Sequence, residues 1–136
     1  MKLARLVAIG ALLMTPGCVR AKKMVQVDES FNGREVVLHV GDTLEVKLSE
    51  NATTGHKWSV LPQPDGELNK ILRDGEQRVE AVDKPPGSPG VRYIDFEAIG
   101  TGSARLELQY RRVWEKDAAP GRRFGLSVRV LPSADR

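Results

Sequence analysis

Cysteine is almost absent from this 136-residue chain: Cys18 is the only one, so no disulfide can form within it. Aromatic side chains are nearly as scarce, at 5% of residues. No apolar run approaches the roughly 20 residues needed to cross a bilayer as a helix. Charge of one sign is missing too, because 21 Lys and Arg stand against 18 Asp and Glu. Lys2 and Arg5 belong to a leader-like segment, and removing them leaves 19 basic against 18 acidic residues. The remaining chain is nearly neutral and its basic residues are interleaved with acids, which argues against nucleic-acid binding. One local exception runs from Arg111 to Arg123.

Catalytic signatures are equally sparse. Cys18 is the lone thiol, and His39 and His56 lack metal-ligand spacing to cysteines or acids, so no metal is expected. No Gly-x-Ser-x-Gly nucleophile elbow occurs, and Gly87-Ser88-Pro89-Gly90 only brushes it. The carboxylates are scattered. The chain is therefore expected not to be an enzyme, to have no catalytic residues and to need no cofactor.

The N-terminus carries a positive start (Lys2, Arg5), an apolar stretch (Leu6 to Met14) and Pro16-Gly17 before Cys18. That order reads as a signal peptide over residues 1–17. Cys18 then falls where bacterial lipoproteins are lipidated, although Thr15 occupies a position usually held by an aliphatic residue. Residues 18–30 read as a tether leading into an edge strand near Met24 to Val27, and residues 31–136 as a single domain. The expected location is the bacterial envelope, either lipid-anchored at Cys18 or periplasmic.

Thirteen Gly and eight Pro break the rest into short runs. Val36, Leu38 and Val40 alternate with polar residues, as do Leu44, Val46 and Leu48 after the Gly41-Asp42 turn. Trp58 and Val60 share a face, and Trp58 is expected in the core. Glu67 to Glu80 mixes helical spacing (Leu68, Ile71, Leu72) with strand character and is read as a bulged strand. Ile94, Phe96 and Ala98 alternate with Tyr93, Asp95 and Glu97, and Phe124, Leu126, Val128 and Val130 face inward in the last run. About seven short strands predict an all-β, immunoglobulin-like antiparallel sandwich, with a closed barrel as the alternative.

Three connections have unusual composition: Asn51 to His56, Pro85 to Gly90, and Arg111 to Pro120. An immunoglobulin topology can bring such connections to one end, where they make a binding edge. Taken by themselves they also fit ordinary turns, with Trp114 covering the end of the core.

Asn51-Ala52-Thr53-Thr54-Gly55-His56, Gly87-Ser88-Pro89-Gly90 and Arg112-Val113-Trp114 occur in the order of three hallmark loops of the chagasin-like inhibitors of papain-family cysteine peptidases. The chain resembles that family from about Val36 to Val130. The family loops are Asn-Pro-Thr-Thr-Gly-Tyr/Phe, Gly-x-Gly-Gly and Arg-Pro-Trp/Phe. Here Ala52 and Val113 stand for prolines, His56 for an aromatic and Pro89 for a glycine.

The resemblance implies a reversible, non-covalent inhibitor whose three loops occupy the substrate cleft. It makes Asn51, Ala52, Thr53, Thr54, Gly55, His56, Gly87, Ser88, Pro89, Gly90, Arg112, Val113 and Trp114 the candidate contacts, with Thr54 at the tip and Trp114 as the anchor. The implied partner is a papain-family cysteine peptidase, bound by a monomer. The substitutions leave a different reading open, an envelope protein-binding or assembly module on the same fold. A hydrolase using His56 with a nearby hydroxyl is a third, weaker expectation.

Overall fold

A computed structural model describes residues 21–51, 54–80, 90–112, 114–115 and 121–133. Eight strands run through them: β1 Met24–Val27, β2 Glu35–His39, β3 Thr43–Glu50, β4 His56–Val60, β5 Leu72–Glu80, β6 Gly90–Ala98, β7 Gly102–Arg112 and β8 Arg122–Leu131. They form two four-stranded sheets, in the orders β1-β3-β6-β5 and β2-β8-β7-β4. The sandwich expected from alternation is present.

Period-two patterning decides which side of each strand faces the other sheet. Leu38, Leu44, Val46, Leu48, Leu106 and Leu126 are fully buried between the sheets, joined by Ile94, Phe96, Leu108, Phe124, Val128 and Val130. Trp58 is in this core, as expected. Burial of each large aliphatic or aromatic chain contributes about 1.5–3 kcal/mol relative to exposure. Val27, in the stretch leading into the domain, is also buried, so β1 is part of the packed structure.

Two features refine the sequence expectation. At one edge of each sheet the pairing is parallel, β1 with β3 and β2 with β8, while the other pairings are antiparallel. Successive reversals between β1, β2 and β3 explain the first of these pairs, because two reversals leave β1 and β3 pointing the same way. The β2–β3 reversal is fastened by buried Asp42, whose carboxylate accepts from the His39 N–H at 2.9 Å and the Lys23 N–H at 3.1 Å. Gly41, at φ +100°, supplies the left-handed backbone that this turn needs.

The second refinement concerns Glu67 to Glu80, which divides into a short helix α1 (Glu67–Ile71) and β5. Leu68 and Ile71 point into the core from one helical face. From Leu72 onward the chain is extended, and its register against β6 shifts between Asp74 and Gln77, around Gly75. Both competing periodicities in that stretch were real and simply follow one another. His39, expected on a strand, lies on β2 with its Nδ1 3.9 Å from Asp42 Oδ2.

Candidate functional site

The strand registers bring the three unusual connections to one end of the sandwich. Glu50, which leads into Asn51, pairs with Gly90, where the second connection ends. His56, where the first connection ends, pairs with Arg112 at the start of the third. Tyr110 pairs with both Trp58 and Arg122, so β4, β7 and β8 meet there. Ala52, Thr53, Gly87, Ser88, Pro89 and Val113 lie outside the described residues, as does Cys18.

Within the first loop, the Thr54 hydroxyl donates to the Asn51 carbonyl at 2.8 Å. Its single proton is thereby used, so the 2.9 Å contact with His56 Nδ1 must have the imidazole donating from Nδ1–H. The His56 ring stacks on Tyr110 with centroids 5.1 Å apart, and Tyr110 tilts against Trp58 at the same distance. His56 thus places a planar ring at the end of the first loop. The Tyr110 hydroxyl in turn accepts from the Asn51 N–H at 2.8 Å and holds the start of the loop.

The third loop is laid directly on the first. Arg112 Nε donates to the Thr54 carbonyl at 3.1 Å, and its Nη1 pairs with Glu115 at 3.2 Å. Arg111 donates to the Glu115 carbonyl at 2.5 Å, closing the turn on which Trp114 sits. Gly55 has φ +76°, and a Cβ added there would lie 2.1 Å from Trp114 Cη2. The indole therefore rests on a bare α-carbon. Trp114 remains 68% exposed, which excludes the reading that it covers the core.

Beneath the loops is a layer that the sequence motifs did not point to. Glu50 is 2% exposed; it accepts from the Trp58 N–H at 3.1 Å and pairs with Arg92 Nε at 2.8 Å. The Trp58 indole N–H donates to the Ser49 carbonyl at 2.9 Å. A usable signal existed: Glu50 follows Leu44, Val46 and Leu48 at the inward parity, and Arg92 precedes Ile94 and Phe96 at the inward parity of β6. Two opposite charges at inward positions of paired strands announce a buried ion pair.

Arg122, although partly exposed, lies over the rings of Trp58 and Tyr110 at 5.5 and 5.7 Å and pairs with Glu29 at 2.5 Å. Partial burial works against ionisation of Glu29, but hydrogen bonds from Ser49 and the Arg122 charge outweigh it and lower its pKa. Arg123 is exposed. Among the described residues no group of three or more His, Cys, Asp or Glu could hold a metal ion, and no helix is long and apolar enough to cross a membrane.

This sandwich is shared with known proteins. Residues 37–128 match the family described as Chagasin family peptidase inhibitor I42. The chain belongs to this family. Amoebiasin-1 of Entamoeba histolytica is 28% identical over 106 residues, covering 78% of this chain and 99% of the relative. Chagasin of Trypanosoma cruzi is 24% identical over 106 residues, covering 77% and 96%. The crystal structure of the cysteine protease inhibitor EhICP2 from Entamoeba histolytica superposes with a TM-score of 0.69 at 21% identity, covering 82% of this chain and 98% of that one. Members of the chagasin family are peptidase inhibitors, and this chain is an inhibitor rather than an enzyme.

Proposed function

We propose that this chain inhibits papain-like cysteine peptidases reversibly and without a covalent bond, by filling the substrate cleft with its three loops. The observation that carries the reading is the exposed Trp114 ring seated on Gly55, with Arg112 bonded to the Thr54 carbonyl. These contacts make the first and third loops one pre-assembled ridge. A ridge ordered before binding loses little conformational freedom on entering a cleft.

Each loop has a distinct physical task. Gly55 and the small hydroxyl residue Thr54 let backbone approach the narrow floor of the cleft. Residues 87–90 supply backbone hydrogen bonds along the peptidase, stiffened by proline. Trp114 lays its open face on the cleft wall, where burial of such an anchor is worth about 2 kcal/mol or more. Asn51 and His56 shape and flank this ridge. No nucleophile or metal is required.

The inhibitor is proposed to act as a monomer in the bacterial envelope, exported by residues 1–17 and held there by lipid on Cys18 or released as a periplasmic form. The chain enters the fold with Met24 opposite Thr43, whereas the loops leave from Glu50 at the other end of β3. Eight strand residues separate the two ends, roughly 25 Å. An anchor at the N-terminal end therefore leaves the loops facing away from the membrane.

Titration of papain with the chain tests the inhibitory reading. The expected result is reversible loss of activity at submicromolar concentration with the inhibitor recovered uncut. Absence of inhibition against papain and a cathepsin would turn the assignment toward a non-peptidase binding partner. Labelling with palmitate, lost in Cys18→Ser, tests the anchor, and size-exclusion chromatography tests the monomer.

A further inference from the structure

The outward face of the β2-β8-β7-β4 sheet has an uneven distribution of charge. At the half far from the loops each cation has an acid: Arg105 pairs with Glu107 at 2.7 Å and Arg129 with Glu35 at 3.4 Å. Next to the loops the register instead places Lys57 directly opposite Arg111, with Arg123 opposite Gln109 one step along the same face. Ser59, Gln109 and Gly125 are the neutral neighbours of these three cations.

Like charges directly opposite on paired strands are unfavourable, so this arrangement costs the fold something and is not explained by it. Lys57 and Arg123 are exposed, and neither side chain has a hydrogen bond or ion pair among the described residues. Arg111 spends one N–H on the Glu115 carbonyl and keeps its charge unneutralised, because the Glu115 carboxylate is engaged by Arg112. Three cations thus stand together without an acid among the described residues of that half-face.

We infer that this cationic half-face is an electrostatic docking surface for an acidic flank beside the cleft of the target peptidase. The inference rests on the inhibitory reading above. Lys57 follows His56 and Arg111 precedes Arg112, so any protein that the ridge enters must overhang these side chains. A membrane is the less fitting occupant, because the N-terminal segment joins the fold at the opposite end of β3. The surface accelerates encounter with negatively charged peptidases and disfavours positively charged ones, while the ridge determines how long the complex lasts.

The test compares the full chain with its Lys57→Gln/Arg123→Gln variant, which alters neither the ridge nor any ion pair among the described residues. Association and dissociation rates are measured against two papain-family peptidases, one with an acidic and one with a basic cleft rim, over a range of sodium chloride. With the acidic enzyme at low salt, the variant is expected to associate about fivefold to tenfold more slowly, the gap closing as screening shortens the reach of the charges. Dissociation should change little, and the basic enzyme should lose no association rate. An equal loss at every salt concentration, no loss, or the same loss with both enzymes would overturn the inference and leave the inhibitory reading standing. Failure of the unaltered chain to inhibit either enzyme would overturn both. Binding of the unaltered chain, but not the variant, to vesicles of phosphatidylcholine and phosphatidylglycerol, with peptidase association unaffected, would assign the face to lipid and likewise overturn it.

Discussion

Gly55 and Trp114 occupy each other's space: the six-membered ring of the indole fills the volume that a side chain on residue 55 would need. The backbone there is also left-handed, at φ +76°. Both constraints act against any substitution. Gly55→Ala is expected to displace Trp114, disturb the Arg112–Thr54 bond and weaken inhibition by about tenfold or more. Thermal unfolding should shift only modestly, because the loop lies outside the core. Inhibition constants and melting curves on the same preparations check this, and an unaltered inhibition constant would show that the ridge geometry is not what the peptidase reads.

Trp114→Ala separates binding from stability more cleanly. With the ring 68% exposed, its removal costs the free protein little. The variant should melt close to the wild type while losing about 2 kcal/mol or more of affinity, the scale of an interface anchor. Thr54→Ala removes the hydroxyl that joins Asn51 to His56 and should weaken inhibition with a similarly small effect on melting. If Trp114→Ala instead unfolds the domain, the assignment of an open anchor fails.

Alternation made most of the fold readable in the sequence, since the inward residues of β2, β3, β6 and β8 all sit at period two. What stayed hidden depended on pairing rather than pattern. Nothing local in Met24 to Val27 announces a parallel neighbour, because that follows from the direction in which β3 returns. The helix α1 was obscured because it is only five residues long and runs straight into β5. At the site, Asn51, Thr54, Gly55 and Trp114 were legible as motif residues. The ring stack of Trp58, Tyr110 and Arg122 was not, because it arises from three strands converging on one place. Ala52, Thr53, residues 87–89 and Val113 lie outside the described residues, so their placement still rests on the resemblance.

Glu50 ties the floor of the loops to two strands, so its loss should be felt in both stability and function. Glu50→Ala would leave Arg92 buried without its carboxylate and the Trp58 N–H without its acceptor. Breaking one partner of such a buried pair typically costs about 3–5 kcal/mol. Denaturant unfolding should show a loss of that order, accompanied by weaker inhibition because Asn51 follows directly in the chain. A loss below about 1 kcal/mol would mean that water readily replaces the carboxylate.

Asp95 provides a case in which a native charge works against the fold. It stands opposite Glu45 on the outward face of β3 and β6, and its Oδ1 is buried without a hydrogen bond. Desolvation raises its pKa most, followed by the Glu45 charge and hydrogen bonding to Glu45, with Arg78 opposing. A carboxyl whose folded pKa lies above its unfolded value binds its proton more tightly in the folded state. Ionising it therefore costs stability at every pH above the folded pKa, and that cost disappears below the unfolded value. Asp95→Asn should accordingly stabilise the protein at neutral pH by up to about 1 kcal/mol, the range for a cross-strand pair. The advantage should shrink as pH falls through the raised pKa and vanish below about pH 4. Melting temperatures of the two proteins across this range decide the matter: a destabilised variant at neutral pH would mean that the Asp95 charge is held by Arg78 more firmly than burial and Glu45 oppose it.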